Sequence, residues 1–267
     1  MPPTSIRIGS QTSCHAPARL PYEFAVARGF DAFEWLSDKG LSGWCEDDMP
    51  QAERAELRRA AQQRGILFSV HAPVAADPTI PSGAEAIRQS IRFGGDVGAG
   101  VVNVHLFPEH DARRFAEALG LLLEATRSAH VRLCVENTPQ SSPDDFNALF
   151  GVLTTMPEAA GQVGMCLDLG HANLFPGTRN DYLKFVDRLG DHVPVMHWHA
   201  HENWGDRDSH LPLFTGPSAH DERGVCGLVR RLKRRGFEGS VVLEQWPHPP
   251  DILVCTRQRL RELWDAV

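Results

Sequence analysis

Eight short apolar runs alternate with eight helix-like stretches along the whole chain, and this alternation restricts the fold more than any other feature. The runs fall at 6–10, 32–36, 67–71, 101–106, 132–137, 164–169, 193–201 and 241–245. The stretches at 20–28, 51–64, 84–94, 112–129, 144–153, 181–189, 223–235 and 257–266 carry the mixed spacing of helices with one face on a core. Runs such as Val101-Val102-Asn103-Val104 lack the in–out alternation of a half-exposed strand, which suits a parallel sheet covered on both faces. Glycines 29, 65, 100 and 236 stand where helices should stop, because a left-handed residue without a Cβ ends a helix at little cost. Eight βα units in 267 residues predict an α/β chain folded as one (β/α)8 barrel spanning 1–267. An open doubly wound sheet is the competitor. The first turn reads against it, since Gly9-Ser10-Gln11-Thr12-Ser13 stands where a Gly-rich phosphate loop would be.

Composition narrows the context. The chain is 42% hydrophobic and 23% charged, ordinary for one α/β domain, and nowhere do about 18 apolar residues follow one another to span a membrane. Met1 to Ser5 lead straight into the first strand without a charged-then-apolar leader, so a cytoplasmic location is expected. Six cysteines show no Cys-x-x-Cys spacing, and two lie in buried strands, which reads as reduced core thiols. A formal charge of −7 disfavours a general nucleic-acid partner. The basic cluster Arg230 to Gly236 falls at a helix end, where cations complement the dipole. Nothing decides between a monomer and a homo-oligomer.

A barrel places its chemistry at the C-terminal ends of its strands. Strands three to eight all end on imidazole or carboxylate: His71, His105, Glu136, Asp168 with His171, His199, and Glu244. The run from His197 to His210 holds four histidines and three acids in one strand and the following loop. Read with period two, it puts Val195, His197, His199 and His201 on one side, with Met196 and Trp198 on the other. One such residue could be an isolated buried polar group. Six consecutive strand ends cannot, because carboxylates gathered at one mouth repel one another and lose hydration, whereas divalent cations compensate both costs. Imidazole and carboxylate suit zinc, manganese or iron, with one to three ions.

His71-Ala72-Pro73, Asp168-Leu169-Gly170-His171 and the run from His199 to His210 resemble the xylose isomerase-like superfamily of TIM barrels, and the resemblance covers nearly the whole chain. That superfamily contains sugar isomerases and epimerases together with the endonuclease IV group. The resemblance implies a central metal held by Glu136, Asp168, His199 and Glu244. It also implies up to two further ions held by His71, His105, His171, Asp208 and His210, with Glu136 able to bridge. The sequence departs from the nucleases at Asn137-Thr138-Pro139-Gln140, where they carry a Gly-rich stretch, and no extra DNA-inserting loop is evident.

The reading that follows is a metal-dependent isomerase or epimerase for a small sugar, sugar phosphate or related hydroxy-carbonyl compound, with Glu136 and Glu244 transferring the proton. Trp35, Phe107, Trp204 and Trp246 are candidates for an apolar wall, and His15, Glu34, Arg207 and Trp246 for substrate contacts. A phosphodiesterase of the endonuclease IV kind is the alternative, favoured by Asp208-x-His210 and disfavoured by the acidic balance. A lyase or dehydratase using the same metal is a third reading, and a non-catalytic binding barrel a fourth.

Overall fold

The computed structural model describes residues 6–267, so the leader reading at residues 1–5 lies outside them. Eight strands, β1 (Arg7–Gln11), β2 (Ala32–Leu36), β3 (Leu67–His71), β4 (Val101–His105), β5 (Arg132–Glu136), β6 (Val163–Asp168), β7 (Val195–His199) and β8 (Ser240–Leu243), pair in sequence order. Each is parallel to the next, and β8 pairs with β1 to close the barrel. The near-continuous apolar runs have their reason here: β2 and β6 are buried at every position, with the interior on one face and helices on the other.

Among the described residues, ten helices surround the barrel: α1 (Arg19–Ala27), α2 (Gln51–Arg64), α3 (Pro81–Val97), α4 (Ala112–Gly120), α5 (Leu123–Ala129), α6 (Pro143–Leu153), α7 (Leu169–Leu174), α8 (Tyr182–Asp187), α9 (Arg223–Arg234) and α10 (Ile252–Ala266). The single helix expected over 112–129 is two, broken after Gly120. The helix stop expected at Gly100 is at Gly98, whose φ of 75° is left-handed and whose N–H bonds the Gly94 and Gly95 carbonyls. The seventh strand ends at His199 rather than His201, and the eighth at Leu243. No helix among the described residues is long and apolar enough to cross a membrane.

Most of the core lies between barrel and helices. The β2 pleat turns Phe33 and Trp35 outward and Glu34 inward. Trp35 is wholly buried and packs against Phe33, Tyr22 and Phe68 with centroids 4.9, 5.4 and 6.0 Å away, so it does not belong to an apolar wall at the mouth. Cys134 and Cys166 are buried, and all six cysteines are free thiols. The basic cluster is structural. Arg231 pairs with Asp187, and the Arg235 guanidinium donates to the carbonyls of Leu189, Gly190 and Val193 at 3.2, 2.6 and 3.0 Å.

Strands β1 and β2 approach closely at Gly9, where an added Cβ would lie 2.4 Å from the Ala32 carbonyl oxygen. That contact is with backbone, so β1 and β2 would have to separate. Gly9→Ala is expected to lower unfolding free energy by about 3 kcal/mol. Urea titration checks this, and an unchanged midpoint would refute the tight approach.

Candidate metal centre

The last residues of β3 to β7 are His71, His105, Glu136, Asp168 and His199, and Glu244 follows β8 directly. Parallel register places His105 beside Glu136 and Asp168 beside His199, so adjacent strand ends deliver adjacent donors. The chain after Asp168 turns at once into α7 because the Asp168 carboxylate caps it, accepting from the His171 N–H at 2.6 Å. That cap brings His171 back over the mouth. Asp208 and His210 come from the loop after β7, which an antiparallel bridge between Glu202 and Leu211 ties down. Glu202 anchors the same loop by accepting from the N–H groups of Thr215, Gly216 and Ser218 at 3.2, 2.7 and 3.0 Å. Sequence reading missed this residue. Its place within a histidine-rich run masks an ordinary loop anchor.

All nine expected donors meet, in three groups. In the central one, donor atoms of Glu136, Asp168, His199 and Glu244 lie within 4.8 Å of one another. His199 Nδ1 is 3.2 Å from Glu136 Oε2, 3.4 Å from Glu244 Oε2 and 3.9 Å from Asp168 Oδ2. The second group shares Glu136 with His71 and His105, whose Nε2 atoms lie 3.2 and 3.7 Å from its two oxygens. In the third, His171 and His210 each approach Asp208 Oδ2 at 3.1 Å.

His201 also falls within reach of the third group, but its ring geometry excludes it as a ligand beside His210. The two rings stack 4.0 Å apart at 9°, and an imidazole binds a metal in its own plane, so nearly parallel offset planes cannot share one ion. His201 instead bonds Asp168 Oδ2 through Nε2 at 2.9 Å. Gly170 makes room for it, since a Cβ there would lie 2.0 Å from the His201 ring.

These donors fit a divalent cation. Glu136 Oε1, Glu244 Oε2 and His199 Nδ1 are buried without a hydrogen-bonding partner. Each orphaned polar atom costs about 1–3 kcal/mol, and one cation satisfies several at once. His199 Nε2 does lie 2.8 Å from Glu34 Oε1, a separation that only an ion pair or a shared proton permits, although the N–H does not aim squarely at the oxygen.

Without a cation, protons do the balancing. Burial alone would push the His71 imidazolium down, but the bonded Glu136 carboxylate raises it to about 9. His171 and His199 are raised well above the usual imidazole range, against their burial, by surrounding carboxylates and, for His199, also by Cys166. His210 is likewise raised, to about 10, by Asp208 and Glu244. Burial and the neighbouring imidazoles hold His105 down to about 4. Glu136 and Glu244 would be raised by burial, but the imidazoles around them hold both well below the usual carboxylate range.

A cavity of about 720 Å³ opens above these groups. Its donor side is His71, His105, His171, Asp208, His210 and Glu244, and its other wall comes from the loops after β1 and β2, with Thr12, His15, Leu36 and Leu41. Trp246 and Pro247 close it, and among the described residues no lysine or arginine lines it. Glu136 lies one layer below, fully buried. Of the expected substrate contacts, His15 and Trp246 face the cavity, whereas Arg207 is exposed outside its lining. Glu34 is buried beneath the central group and bonded to His197, so the inward pleat of β2 keeps it from the cavity. Phe107 packs toward His110, and Trp204 is exposed beside a separate hollow of about 310 Å³.

A family model described as xylose isomerase-like TIM barrel matches residues 22–263. The chain belongs to this family. Among curated relatives, the uncharacterised protein MJ1311 of Methanocaldococcus jannaschii is 27% identical over 179 residues, 60% of this chain and 55% of that protein. The chain therefore matches about half the length of that relative. A solved D-tagatose 3-epimerase-like protein superposes with a TM-score of 0.76 at 20% identity, covering 98% of each chain. The TTHB071 protein of Thermus thermophilus, from a crystal soaked with ZnCl2, superposes with a TM-score of 0.65 at 24% identity, covering 96% of this chain and 98% of that one. At these identities the likeness establishes the xylose isomerase-like fold.

Within that fold, Asp208 separates the outer donors from the central ones. Asp208→Ala is expected to lower saturating ion content by one per chain while the central four keep theirs. Elemental analysis of dialysed protein checks this. A single ion in both proteins would make Asp208 and His210 substrate contacts instead.

Proposed function

We propose that this chain is a divalent-metal-dependent isomerase or epimerase acting on a small hydroxy-carbonyl compound of the sugar class. The observation that carries the reading is Glu244: a carboxylate with one unpartnered oxygen, 3.4 Å from His199 Nδ1, on the wall of a cavity that lacks any lysine or arginine among the described residues. Such a cavity suits an uncharged polyol. A cation held by Glu136, Asp168, His199 and Glu244 would polarise a carbonyl and its neighbouring hydroxyl, acidifying the C–H between them. Glu244 abstracts that proton from the cavity side. Glu136, whose Oε2 approaches the same His199 nitrogen at 3.2 Å from one layer down, is assigned the return of a proton to the other face. His15 orients hydroxyls from the far wall, and the Trp246 ring covers the apolar C–H face.

Metal-dependent phosphodiester hydrolysis is the second reading, favoured by the three neighbouring donor groups, two of which share Glu136. Charge separates the two. Glu136, Asp168, Asp208 and Glu244 bring four negative charges, so one divalent ion leaves the floor net negative, whereas three make it net positive and attractive to a phosphodiester. The test incubates metal-loaded protein with ketoses and their phosphates in deuterated water, and separately with bis(4-nitrophenyl) phosphate and duplex DNA carrying an abasic site. Solvent deuterium at carbon in a sugar supports the isomerase. Phosphodiester cleavage with no exchange in any sugar transfers the assignment to the hydrolase.

A further inference from the structure

We propose that Glu34 and His197 form a buried relay that orients His199, so that its Nδ1 rather than its Nε2 is offered to the central cation. The inference rests on the central donors holding a divalent ion and is independent of the reaction that follows. Glu34, His197 and His199 are all fully buried inside the barrel. Residues 197 and 199 are two apart on β7 and point the same way, while β2 directs Glu34 at both across the interior. Glu34 Oε2 lies 2.9 Å from His197 Nε2, and Oε1 lies 2.8 Å from His199 Nε2.

The proton assignment follows from Glu34, whose carboxylate can only accept, with the Ser240 hydroxyl free to donate at the other ring nitrogen. Ser240, the partly exposed first residue of β8, places its hydroxyl 3.1 Å from His197 Nδ1. With the hydroxyl donating there, the His197 proton is on Nε2, where Glu34 accepts it. The second Glu34 oxygen lies 2.8 Å from His199 Nε2, and because a carboxylate cannot donate, that approach requires the His199 proton on Nε2 even though the N–H is not aimed squarely at the oxygen. This leaves the Nδ1 lone pair of His199 toward Glu136, Asp168 and Glu244. A carboxylate behind a ligating imidazole fixes its tautomer and ring angle and raises its basicity. Packing alone does not call for such a layer, since apolar side chains fill a barrel interior without burying a charge. Glu34 and His197 are therefore positioning residues, and neither lines the cavity.

The experiment uses the full chain with uniformly 15N-labelled histidine and zinc as the probe. In the zinc-loaded parent, His199 Nδ1 should show the nitrogen shift of a metal-bound atom, and its Nε2–H a slowly exchanging downfield proton. Glu34→Gln should move that proton upfield and weaken zinc affinity by about 10- to 100-fold. Ser240→Ala, which leaves the packed interior intact, should move the same signal less and weaken zinc only a few-fold, so a Gln variant that fails to fold still leaves a test. Zinc bound through His199 Nε2, or affinity unchanged in both variants, overturns the relay. A parent chain that takes up no zinc overturns the relay and the metal-dependent reading together. Zinc uptake with the expected dependence on Glu34, but no deuterium exchange into any sugar, supports the relay and removes the isomerase alone.

Discussion

Replacing Glu244 by Gln is expected to lower turnover by about 10²- to 10⁴-fold while substrate KM changes little. Glutamine preserves the shape of the side chain and one neutral oxygen toward the ion, but it cannot take up a proton. The change therefore falls on kcat, because the lost interaction matters only once the C–H bond is breaking. Glu136→Gln should lower kcat comparably and differ in a second respect. Glu136 faces His71, His105 and His199 and belongs to two donor groups, so its substitution also weakens ion binding. Steady-state kinetics with metal content measured on the same samples distinguishes them. Equal kcat in parent and Glu244→Gln would remove Glu244 from the chemistry.

The metal-free chain should lose stability as pH rises from about 6.5 to 10, and the metal-loaded chain should not. His71 is raised from 6.5 to about 9 in the folded state by Glu136. A folded pKa above the unfolded one contributes stability that is complete below pH 6.5 and is lost as pH rises through 9. For His71, which is almost wholly buried, the loss is about 3 kcal/mol. His171 and His199 shift the same way and add to it. The carboxylates act in the opposite window: Glu136 and Glu244 are lowered, so their contribution is present above the ordinary carboxylate range and lost only in acid. A bound cation replaces the protons and removes the alkaline decline. Thermal unfolding at pH 6.5, 8 and 9.5, in chelator and in zinc, measures the difference. A flat profile in chelator would show that the imidazoles are not paired with these carboxylates.

The barrel was legible because its strands are largely buried on both faces and leave short, mostly apolar runs, and from β3 to β7 each ends on an imidazole or a carboxylate. That same residue marked the metal site, so strand ends and donors were read together. Helix α7 escaped notice because its six residues are all buried and carry no amphipathic period; only the cap of Asp168 on His171 makes it a helix. The break after Gly120 was hidden because Leu121-Leu122-Leu123 continues an apolar spacing, although Leu121 is 76% exposed. Glu34 was misplaced for a different reason. Its strand was found, but depth within the barrel depends on the tilt and stagger of all eight strands, which no local pattern records. Arg207 likewise sits on a loop whose path is set by Glu202, thirteen residues before the Thr215 that it anchors.

The donors occupy strands three to eight, while the opposite arc of the mouth, after strands one and two, is walled by Thr12, His15, Leu36 and Leu41. Much of recognition is therefore written on a stretch of the chain that carries no donor. The loops at 12–18 and 37–45 can be exchanged or randomised without touching a donor, and such a library would search substrates while its ion-binding half stays constant. Variants that alter recognition should map to the first fifth of the sequence and to Trp246 and Pro247, which close the cavity.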